Sequence, residues 1–282
     1  MKILVASSSL TGYGGSESHT KALHAELDRQ GHDVTLCEAG GIPDSTAFDV
    51  ALLTHNLTVA RFFDTFPDYP PDKVVQTVHG LVPQLEKPWT RHPIRYVAIS
   101  EGIAQAYPGL DMTVIPNAVD LEVFKPTRQL PENPRVLLSL AQSDSFNDML
   151  RRICRERGIE FRFRNKFRNP ISEIYEEMQE ADIVVGIGRS AIEAMACGCA
   201  VLVADHRPYQ NPLMDGWIYW EDFLHAMYKN YSGRSGWTAD KRRMCIYIDD
   251  YQHKDGAECR RLAERYHNIE DAARKYLEVI TA

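Results

Sequence analysis

The chain has 282 residues, of which 44% are hydrophobic and 25% are charged, as is ordinary for a globular protein. Its 32 lysines and arginines against 39 aspartates and glutamates give a net charge of −7, which disfavours a generally basic nucleic-acid binder but leaves room for a local basic patch. The composition excludes a disordered, collagenous or coiled-coil chain, and the apolar runs are far shorter than the roughly 20 residues of a membrane helix.

The first part of the chain alternates short apolar runs with a helical pattern. A helix is predicted over residues 16–30, ending before Gly31, and glycine is typical of a helix C-terminus. The apolar runs are rich in Val and Ile, as strands buried on both faces of a parallel sheet are. Strands are therefore predicted over residues 2–6, 33–37, 49–53, 73–78, 96–99 and 112–115.

Four prolines between residues 116 and 134 predict a linker, because proline lacks the donor that helices and sheets use. The alternation then restarts, with strands predicted over residues 135–141, 160–164, 182–187 and 200–204, and helices over residues 145–157, 171–180, 190–197 and 268–280. This order predicts two Rossmann-like domains with a cleft between the carboxyl ends of their strands. The predicted domains are residues 1–125 and 126–267, followed by a terminal helix over residues 268–282.

The N-terminal residues and the cysteines indicate where in the cell the protein is located. Residues 1–6 hold one lysine and four apolar residues, which is too short for a signal-peptide core. Six cysteines are too few for a disulfide scaffold, and Cys197 with Cys199 has no second pair at zinc spacing. The sequence therefore predicts a cytoplasmic protein with small buried cysteines and no metal site.

A glycine-rich segment follows the first predicted strand and precedes the first helix. Gly14 and Gly15 would let the backbone approach a ligand, and the helix N-terminus after them would offer amides to an anion. The spacing matches neither a dinucleotide fingerprint nor a P-loop. A tight turn capped by Ser16 therefore stays an equal alternative.

Two further segments of the first half end predicted strands. His79 stands where it could hydrogen-bond a substrate, although a lone histidine is more often structural. Pro116 and Asn117 set turn geometry, so residues 114–124 favour a turn between domains.

In the second half, a strand ends in a Gly-x-Gly sequence and a helix begins. The amides of residues 188–191, led by Gly188, would face a phosphate, with Arg189 adding charge beside Ser190. Glu193, in the first helical turn, would accept ribose hydroxyls. The alternative for Glu193 is a charge that complements the helix dipole.

These segments, in this order, resemble the retaining glycosyltransferases of family 4. The matching pieces are Gly14-Gly15-Ser16-Glu17, Thr77-Val78-His79, Val97–Ile103, Val114–Asp120, Ala181–Val185 and Glu193–Gly198. The resemblance implies the α/β GT-B fold, two Rossmann-like domains facing across a cleft, in a short and divergent member. It also implies transfer of a sugar from a nucleotide-diphosphate donor to a hydroxyl acceptor with retention of configuration, with the last helix crossing back to the first domain.

The resemblance also implies a set of site residues. It assigns His79 and Glu17 to catalysis, and it requires no cofactor beyond the nucleotide-sugar donor. The residues it implies for donor binding are Gly14, Gly15, Asn117, Gly188, Arg189, Ser190 and Glu193.

Two features of the family are missing. Gln142 and Asn147 stand where the family has the arginine and lysine that hold the donor diphosphate, and Val185 stands where it has a glutamate. Residues 151–168 carry eight basic residues against two glutamates, and strand alternation puts Arg162 and Arg164 on one face. Candidates to replace the missing cations are Lys166, Arg168 and Arg189; the alternative is an exposed charged strip.

Three functions therefore stay open on the sequence. The first is a glycosyltransferase with a saccharide, lipid-linked or small-molecule acceptor. The second is a glycosyltransferase acting on hydroxylated bases in DNA, which the net charge of −7 disfavours. The third is a nucleotide- or sugar-binding module without catalysis, because the family's two cations and one glutamate are absent.

Overall fold

The structure is a computed structural model that describes residues 1–44, 47–207, 211–218, 220–234 and 236–281. The chain forms two compact units, residues 1–117 together with 269–282, and residues 118–268. The units divide after Asn117 and Asn268, whereas the domain boundaries at residues 125/126 and 267/268 stay a prediction. We call the two units the first and second unit.

The first unit contains a six-stranded parallel sheet with the strand order β2-β1-β3-β4-β5-β6. Its strands are β1 (Lys2–Ser7), β2 (Asp33–Glu38), β3 (Val50–Thr54), β4 (Val74–Val78), β5 (Arg95–Ala98) and β6 (Met112–Val114), and its first helices are α1 (Gly15–Arg29), α2 (Asn56–Thr65) and α3 (Glu101–Gln105). All six predicted strands and the predicted α1 are confirmed, each end within one residue. β3 and β4 are buried along their whole length, as strands covered on both faces must be.

The second unit contains a mixed sheet with the strand order β12-β11-β10-β9-β7-β8, in which β11 and β12 are antiparallel additions. Its strands are β7 (Val136–Ser139), β8 (Glu160–Phe163), β9 (Ile183–Gly186), β10 (Ala200–Asp205), β11 (Leu213–Trp217) and β12 (Trp237–Thr238). Its helices are α4 (Asp144–Arg157), α5 (Ile174–Glu180), α6 (Arg189–Ala196), α7 (Trp220–Tyr228), α8 (Lys241–Asp249) and α9 (Asp255–Tyr266). The four predicted strands of this half are confirmed.

The terminal helix α10 (Ile269–Thr281) belongs to the first unit. The Tyr276 hydroxyl lies 2.8 Å from Thr77 Oγ1 and 3.2 Å from His19 Nε2, and Tyr276 is fully buried. An ion pair of 2.9 Å joins Glu270 to Arg29 of α1. Helix α10 therefore packs against α1 and β4 of the first unit.

None of the helices in the described part of the chain is long and apolar enough to span a membrane. All six cysteines are free thiols.

Candidate functional site

The glycine-rich segment forms the turn between β1 and α1. Gly14 takes the N-cap position of α1, so the alternative in which Ser16 caps the helix is wrong. Instead the Ser16 hydroxyl donates to Glu17 Oε2 at 3.0 Å. A Cβ on Gly12 would lie 2.9 Å from Glu17 Oε1, and one on Gly14 would overlap Oε2. A side chain at either position would therefore require the Glu17 carboxylate, which folds back over the turn, to move.

Three buried histidines lie together in the first unit. His79 follows β4, His55 follows β3 and His19 is on α1. The ring centroids of His19 and His79 are 4.9 Å apart, and those of His55 and His79 are 6.2 Å apart. The Nδ1 atom of His55 lies 2.6 Å from the hydroxyl of Ser8, just after β1. Because β1, β3 and β4 are neighbours in one parallel sheet, their carboxyl ends bring these groups to one edge.

The backbone of His55 is in the left-handed region, with φ 74°. A non-glycine residue held there costs about 1–3 kcal/mol and is typical of functional sites. Burial lowers the pKa of His55, while the negative charge of Glu17 opposes that shift. The imidazole is therefore neutral near pH 7, and one of its nitrogens can accept a proton or a hydrogen bond.

Sequence reasoning found His79 and missed His19 and His55. His55 carries the same signal as His79, a histidine directly after an apolar strand, and could have been found. His19 carries only a helix position, and the contact that gives it meaning is with Tyr276, which lies 257 residues away. Tyr276 is protonated, because burial raises its pKa.

Gly14, Gly15, Glu17 and His79 all lie at the carboxyl edge of the first sheet. Asn117 is buried, follows β6 and ends the first unit's long segment. The catalytic and donor-binding roles of these residues stay predictions.

In the second unit, the Gly-x-Gly turn leads from β9 into α6. Gly188 has φ 55°, and its amide donates to the Tyr231 carbonyl at 2.8 Å. The Ala191 amide donates to the Gly188 carbonyl at 3.1 Å. The prediction that all four amides of residues 188–191 face a phosphate is therefore wrong for these two, because protein carbonyls occupy them. The amides of Arg189 and Ser190 belong to the first helical turn, which has no preceding turn of helix to bond with.

The side chains of Arg189 and Glu193 form a buried pair. Arg189 Nε donates to Glu193 Oε1 at 2.8 Å, and Arg189 Nη1 donates to the Ala118 carbonyl at 2.7 Å. The two side chains are 6% and 11% exposed. Burial raises the pKa of Glu193, and the Arg189 charge and hydrogen bond oppose this. The prediction that Glu193 lies in the first turn is wrong, because α6 begins at Arg189 and Glu193 lies one turn further along.

The hydroxyl of Ser190 has a structural partner in the same turn. Its Oγ donates to the Ile187 carbonyl at 2.8 Å, and a Cβ on Gly186 would lie 3.1 Å from that Oγ. Ser190 therefore fixes the end of β9 against the start of α6.

Several arginines of the basic stretch of residues 151–168 pair with carboxylates. Arg168 donates to both oxygens of Asp144 at 2.8 and 2.7 Å, in an exposed pair. The Lys166 ammonium lies 4.9 Å from the ring centroid of Phe167. Arg162 in β8 and Arg164 just after it pair with Glu180 and Glu177 of α5, so both side chains point to the side that α5 covers.

Gln142 and Asn147, which stand where the family has cations, hold the turn after β7. Asn147 is 2% exposed; its Oδ1 accepts from Ser139 Oγ at 2.7 Å, and its Nδ2 donates to the Ala141 carbonyl at 3.0 Å. Gln142 Oε1 accepts from the Lys166 amide at 3.0 Å. Both side-chain amides therefore bond to other protein groups in the loops at the carboxyl edge of the second sheet.

Within the described ranges, no group of three or more His, Cys, Asp or Glu side chains is placed to hold a metal ion.

Neither a protein-family model nor a curated protein sequence matches the chain. Solved structures do. An alpha-glucosyltransferase in complex with UDP and a 13-mer DNA containing a HMU base has a TM-score of 0.63 at 11% identity, with 100% of each chain covered. An alpha-glucosyltransferase in complex with UDP has a TM-score of 0.58 at 12% identity, again with 100% of each chain covered.

A third solved structure is an alpha-glucosyltransferase in complex with UDP-glucose and DNA containing an abasic site. Its TM-score is 0.59 at 11% identity, with 100% of this chain and 99% of that chain covered. The chain has the fold of these alpha-glucosyltransferases. The predicted α/β GT-B fold, with two Rossmann-like sheets flanked by helices, is confirmed.

Proposed function

We propose that this chain is a glycosyltransferase that moves a sugar from a UDP-sugar donor to a hydroxyl acceptor. The observation that carries the proposal is the match, over the full length of both chains, to an alpha-glucosyltransferase bound to UDP, with a TM-score of 0.63. The sequence resemblance to family 4 supports the same reaction independently of the fold.

The second unit supplies the donor contacts in this proposal. The Gly188 turn brings the amides of Arg189 and Ser190 toward the diphosphate, and Lys166 and Arg168 add charge at the same edge of the sheet. Glu193 accepts the ribose hydroxyls with the carboxylate oxygen that does not bind Arg189. Such charge-assisted hydrogen bonds are about twice as strong as neutral ones.

The first unit supplies the groups that act on the sugar and the acceptor hydroxyl. His79 and Glu17 are the proposed catalytic residues, with Gly14, Gly15 and Asn117 as further donor contacts. The new bond forms between the acceptor oxygen and the anomeric carbon while the bond to the diphosphate breaks, and the proton of the acceptor hydroxyl passes to His79, the proposed base. Negative charge then grows on the diphosphate, where fixed N–H donors stabilise it. Retention of configuration and the absence of a further cofactor are proposed from the family resemblance.

We propose a hydroxylated base in DNA as the acceptor. The observation that favours DNA over a saccharide or lipid-linked acceptor is that matched structures contain DNA, one of them with a HMU base. Because the chain's net charge is −7, DNA must be bound by a local basic patch rather than attracted by the overall charge. A cytoplasmic location fits this acceptor, and the free thiols of all six cysteines support a reducing compartment.

A donor-and-acceptor panel tests the proposal. Purified protein is incubated with UDP-glucose and other nucleotide sugars, and with duplex DNA that carries hydroxymethyluracil, hydroxymethylcytosine or no modified base. We expect UDP release and a hexose mass gain only with hydroxymethylated DNA, with the same activity in EDTA. NMR of the product then gives the anomeric configuration.

The outcomes separate the three functions. UDP release with a saccharide but not with modified DNA would contradict the DNA acceptor and keep the enzyme. Binding of UDP-sugar with no release for any acceptor would favour a binding module instead.

A further inference from the structure

Two arginines of the second unit share one buried carboxylate just after β10. Asp205 ends the strand, and its side chain is fully buried. Arg207 donates to it through Nε and Nη2 at 2.8 and 2.5 Å, and Arg234 donates through Nε at 3.3 Å. Burial favours the neutral acid, but the hydrogen bonds from the arginines outweigh it and lower the pKa of Asp205. Asp205 is therefore an ionised anchor for two guanidinium groups.

A strained turn over residues 230–234 brings Arg234 to this anchor. Asn230, Tyr231 and Gly233 have φ values of 50°, 49° and 72°. A Cβ on Gly233 would lie 2.7 Å from the Asp205 amide nitrogen, so only glycine permits the approach. The Gly233 amide donates to Asp215 Oδ2 at 3.0 Å. Left-handed residues of this kind persist where the surroundings force them, often at ligand sites.

The same turn is joined to the Gly188 turn. The Tyr231 carbonyl accepts from the Gly188 amide at 2.8 Å, and the Tyr231 side chain is buried, with its hydroxyl 2.6 Å from His267 Nε2. Because β9 and β10 are parallel neighbours, their carboxyl ends lie at one edge of the sheet. Arg207 and Arg234 therefore lie at the edge where parallel α/β sheets bind ligands.

We propose that Arg207 and Arg234, held by Asp205, form a phosphate-binding site, and that its ligand is the diphosphate of the nucleotide-sugar donor. The ligand's identity rests on the proposed function; the phosphate site itself rests on the geometry. The pair supplies positive charge at the carboxyl edge of the second sheet. Gln142 and Asn147, which hold the turn after β7 at the same edge, are uncharged.

The chemistry and the exposure of the two guanidiniums favour an anionic ligand. The Arg207 and Arg234 side chains are 26% and 27% exposed, so each reaches solvent from a buried anchor. Guanidinium forks match phosphate geometry.

A purely structural ion cluster is the competing explanation, and Arg157 provides a matched control for it. Arg157 binds Asp249 through the same two nitrogens, at 2.5 and 2.7 Å, and is 22% exposed. It ends α4, at the amino edge of the same sheet. Arg157→Gln therefore removes an arginine of similar exposure, paired with the more exposed carboxylate of Asp249, from the opposite edge.

The experiment titrates inorganic pyrophosphate, UDP, uridine and a 13-mer DNA duplex into wild type, Arg234→Gln, Arg207→Gln and Arg157→Gln by calorimetry. We expect pyrophosphate and UDP to bind at least about tenfold more weakly to the two edge variants. Uridine, which has no phosphate, should bind all four proteins equally, and Arg157→Gln should match wild type throughout. Arg234→Gln loses only one long bond to Asp205, so it keeps the test valid if Arg207→Gln does not fold.

Several results would overturn the proposal. Pyrophosphate binding that is absent in wild type, or unchanged in both edge variants, refutes a phosphate site. A loss confined to duplex DNA refutes the diphosphate and identifies a DNA phosphate as the ligand. The titrations need no turnover, so a protein that transfers no sugar yet loses pyrophosphate binding in these variants would retain this site and lose the proposed function.

Discussion

The two sheets carry different chemistry at the same topological place. The carboxyl edge of the first sheet holds two histidine groups beside Glu17, and the imidazole of His55 is neutral and lies 2.6 Å from the hydroxyl of Ser8. The carboxyl edge of the second holds ionised groups, with Arg207 and Arg234 on Asp205. A neutral imidazole such as that of His55 can accept a proton from a hydroxyl group, whereas guanidinium groups can bind a diphosphate. Similar sheet topology therefore positions a site without deciding its chemistry.

The first edge is the one whose loss should cost most turnover. We expect His79→Ala to lower kcat by about 100-fold or more, within the range that a positioned acid–base residue contributes, with little change in the melting temperature. His24→Ala, on α1 and partly exposed, serves as the control. A steady-state assay with the acceptor identified by the panel measures the effect. Wild-type kcat in His79→Ala would contradict the assignment of catalysis to the histidine edge.

At the carboxyl edge of the second sheet, substitution of Glu193 should weaken donor binding rather than lower kcat. We expect Glu193→Gln to weaken UDP binding about tenfold, because it removes the charge from the ribose contact. It should also destabilise the fold by about 3–5 kcal/mol, because it leaves Arg189 buried without its carboxylate.

The double variant Arg189→Gln/Glu193→Gln separates these two effects. It removes both buried charges, so it should recover much of the stability while UDP binding stays weak. Calorimetry and urea unfolding on wild type and the two variants give both quantities. Full recovery of UDP affinity in the double variant would refute the ribose contact and leave the pair structural.

The pH dependence of the free energy of unfolding should further distinguish the carboxyl edges of the two sheets. The folded-state pKa of His55 is lowered by burial, so the unfolded chain binds more protons below about pH 6.5. Stability should therefore fall as the pH falls through that range, by up to about 1.4 kcal/mol per pH unit for this one group. His55→Asn should flatten the slope, because asparagine keeps a hydrogen-bonding side chain but does not titrate.

Burial also lowers the pKa of His206 in the second unit, where it contacts the Ala239 carbonyl. His206→Gln is therefore the matched variant for His55→Asn. Urea unfolding between pH 5 and 8 measures both. Equal slopes in wild type and His55→Asn would contradict a neutral buried imidazole at the first edge.

The smallest effect is expected at Asp255, a buried carboxyl at the start of α9. Its Oδ2 has no hydrogen-bond partner among the described residues, in contrast to the paired Asp205. Burial raises the pKa of Asp255 to about 6, so the folded state holds a proton that the unfolded chain has lost, and stability falls as the pH rises from about 4 to 6.

Asp255→Asn removes this penalty. It should stabilise the protein by about 1 kcal/mol at pH 7.5, less than the full shift implies because the group is partly solvated, and should change nothing at pH 4. Thermal unfolding at the two pH values tests this. An equal gain at both would point to helix capping rather than to titration.

Local sequence determined most of the sheet framework. The ten strands predicted from apolar runs form, because a strand covered on both faces must be apolar along its length. The antiparallel strand β11 was not predicted, since its sequence includes Asp215 and Gly216, residues that strands usually avoid. Helix α9 was also missed, although Cys259, Leu262 and Ala263 are buried at helical spacing. That signal was present and weak, because two of the three side chains are small.

Tertiary structure alone decided which charges and rings meet. Nothing local connects Arg234 with Asp205, or His19 with Tyr276, because these contacts span 29 and 257 residues. The sequence shows a basic stretch at residues 151–168, and only packing shows that glutamates of α5 neutralise part of it. Periodicity is set by neighbours a few residues apart, so sequence alone carries it. The partners of a buried charge are set by which strand ends share a sheet edge, and that depends on how the whole unit packs.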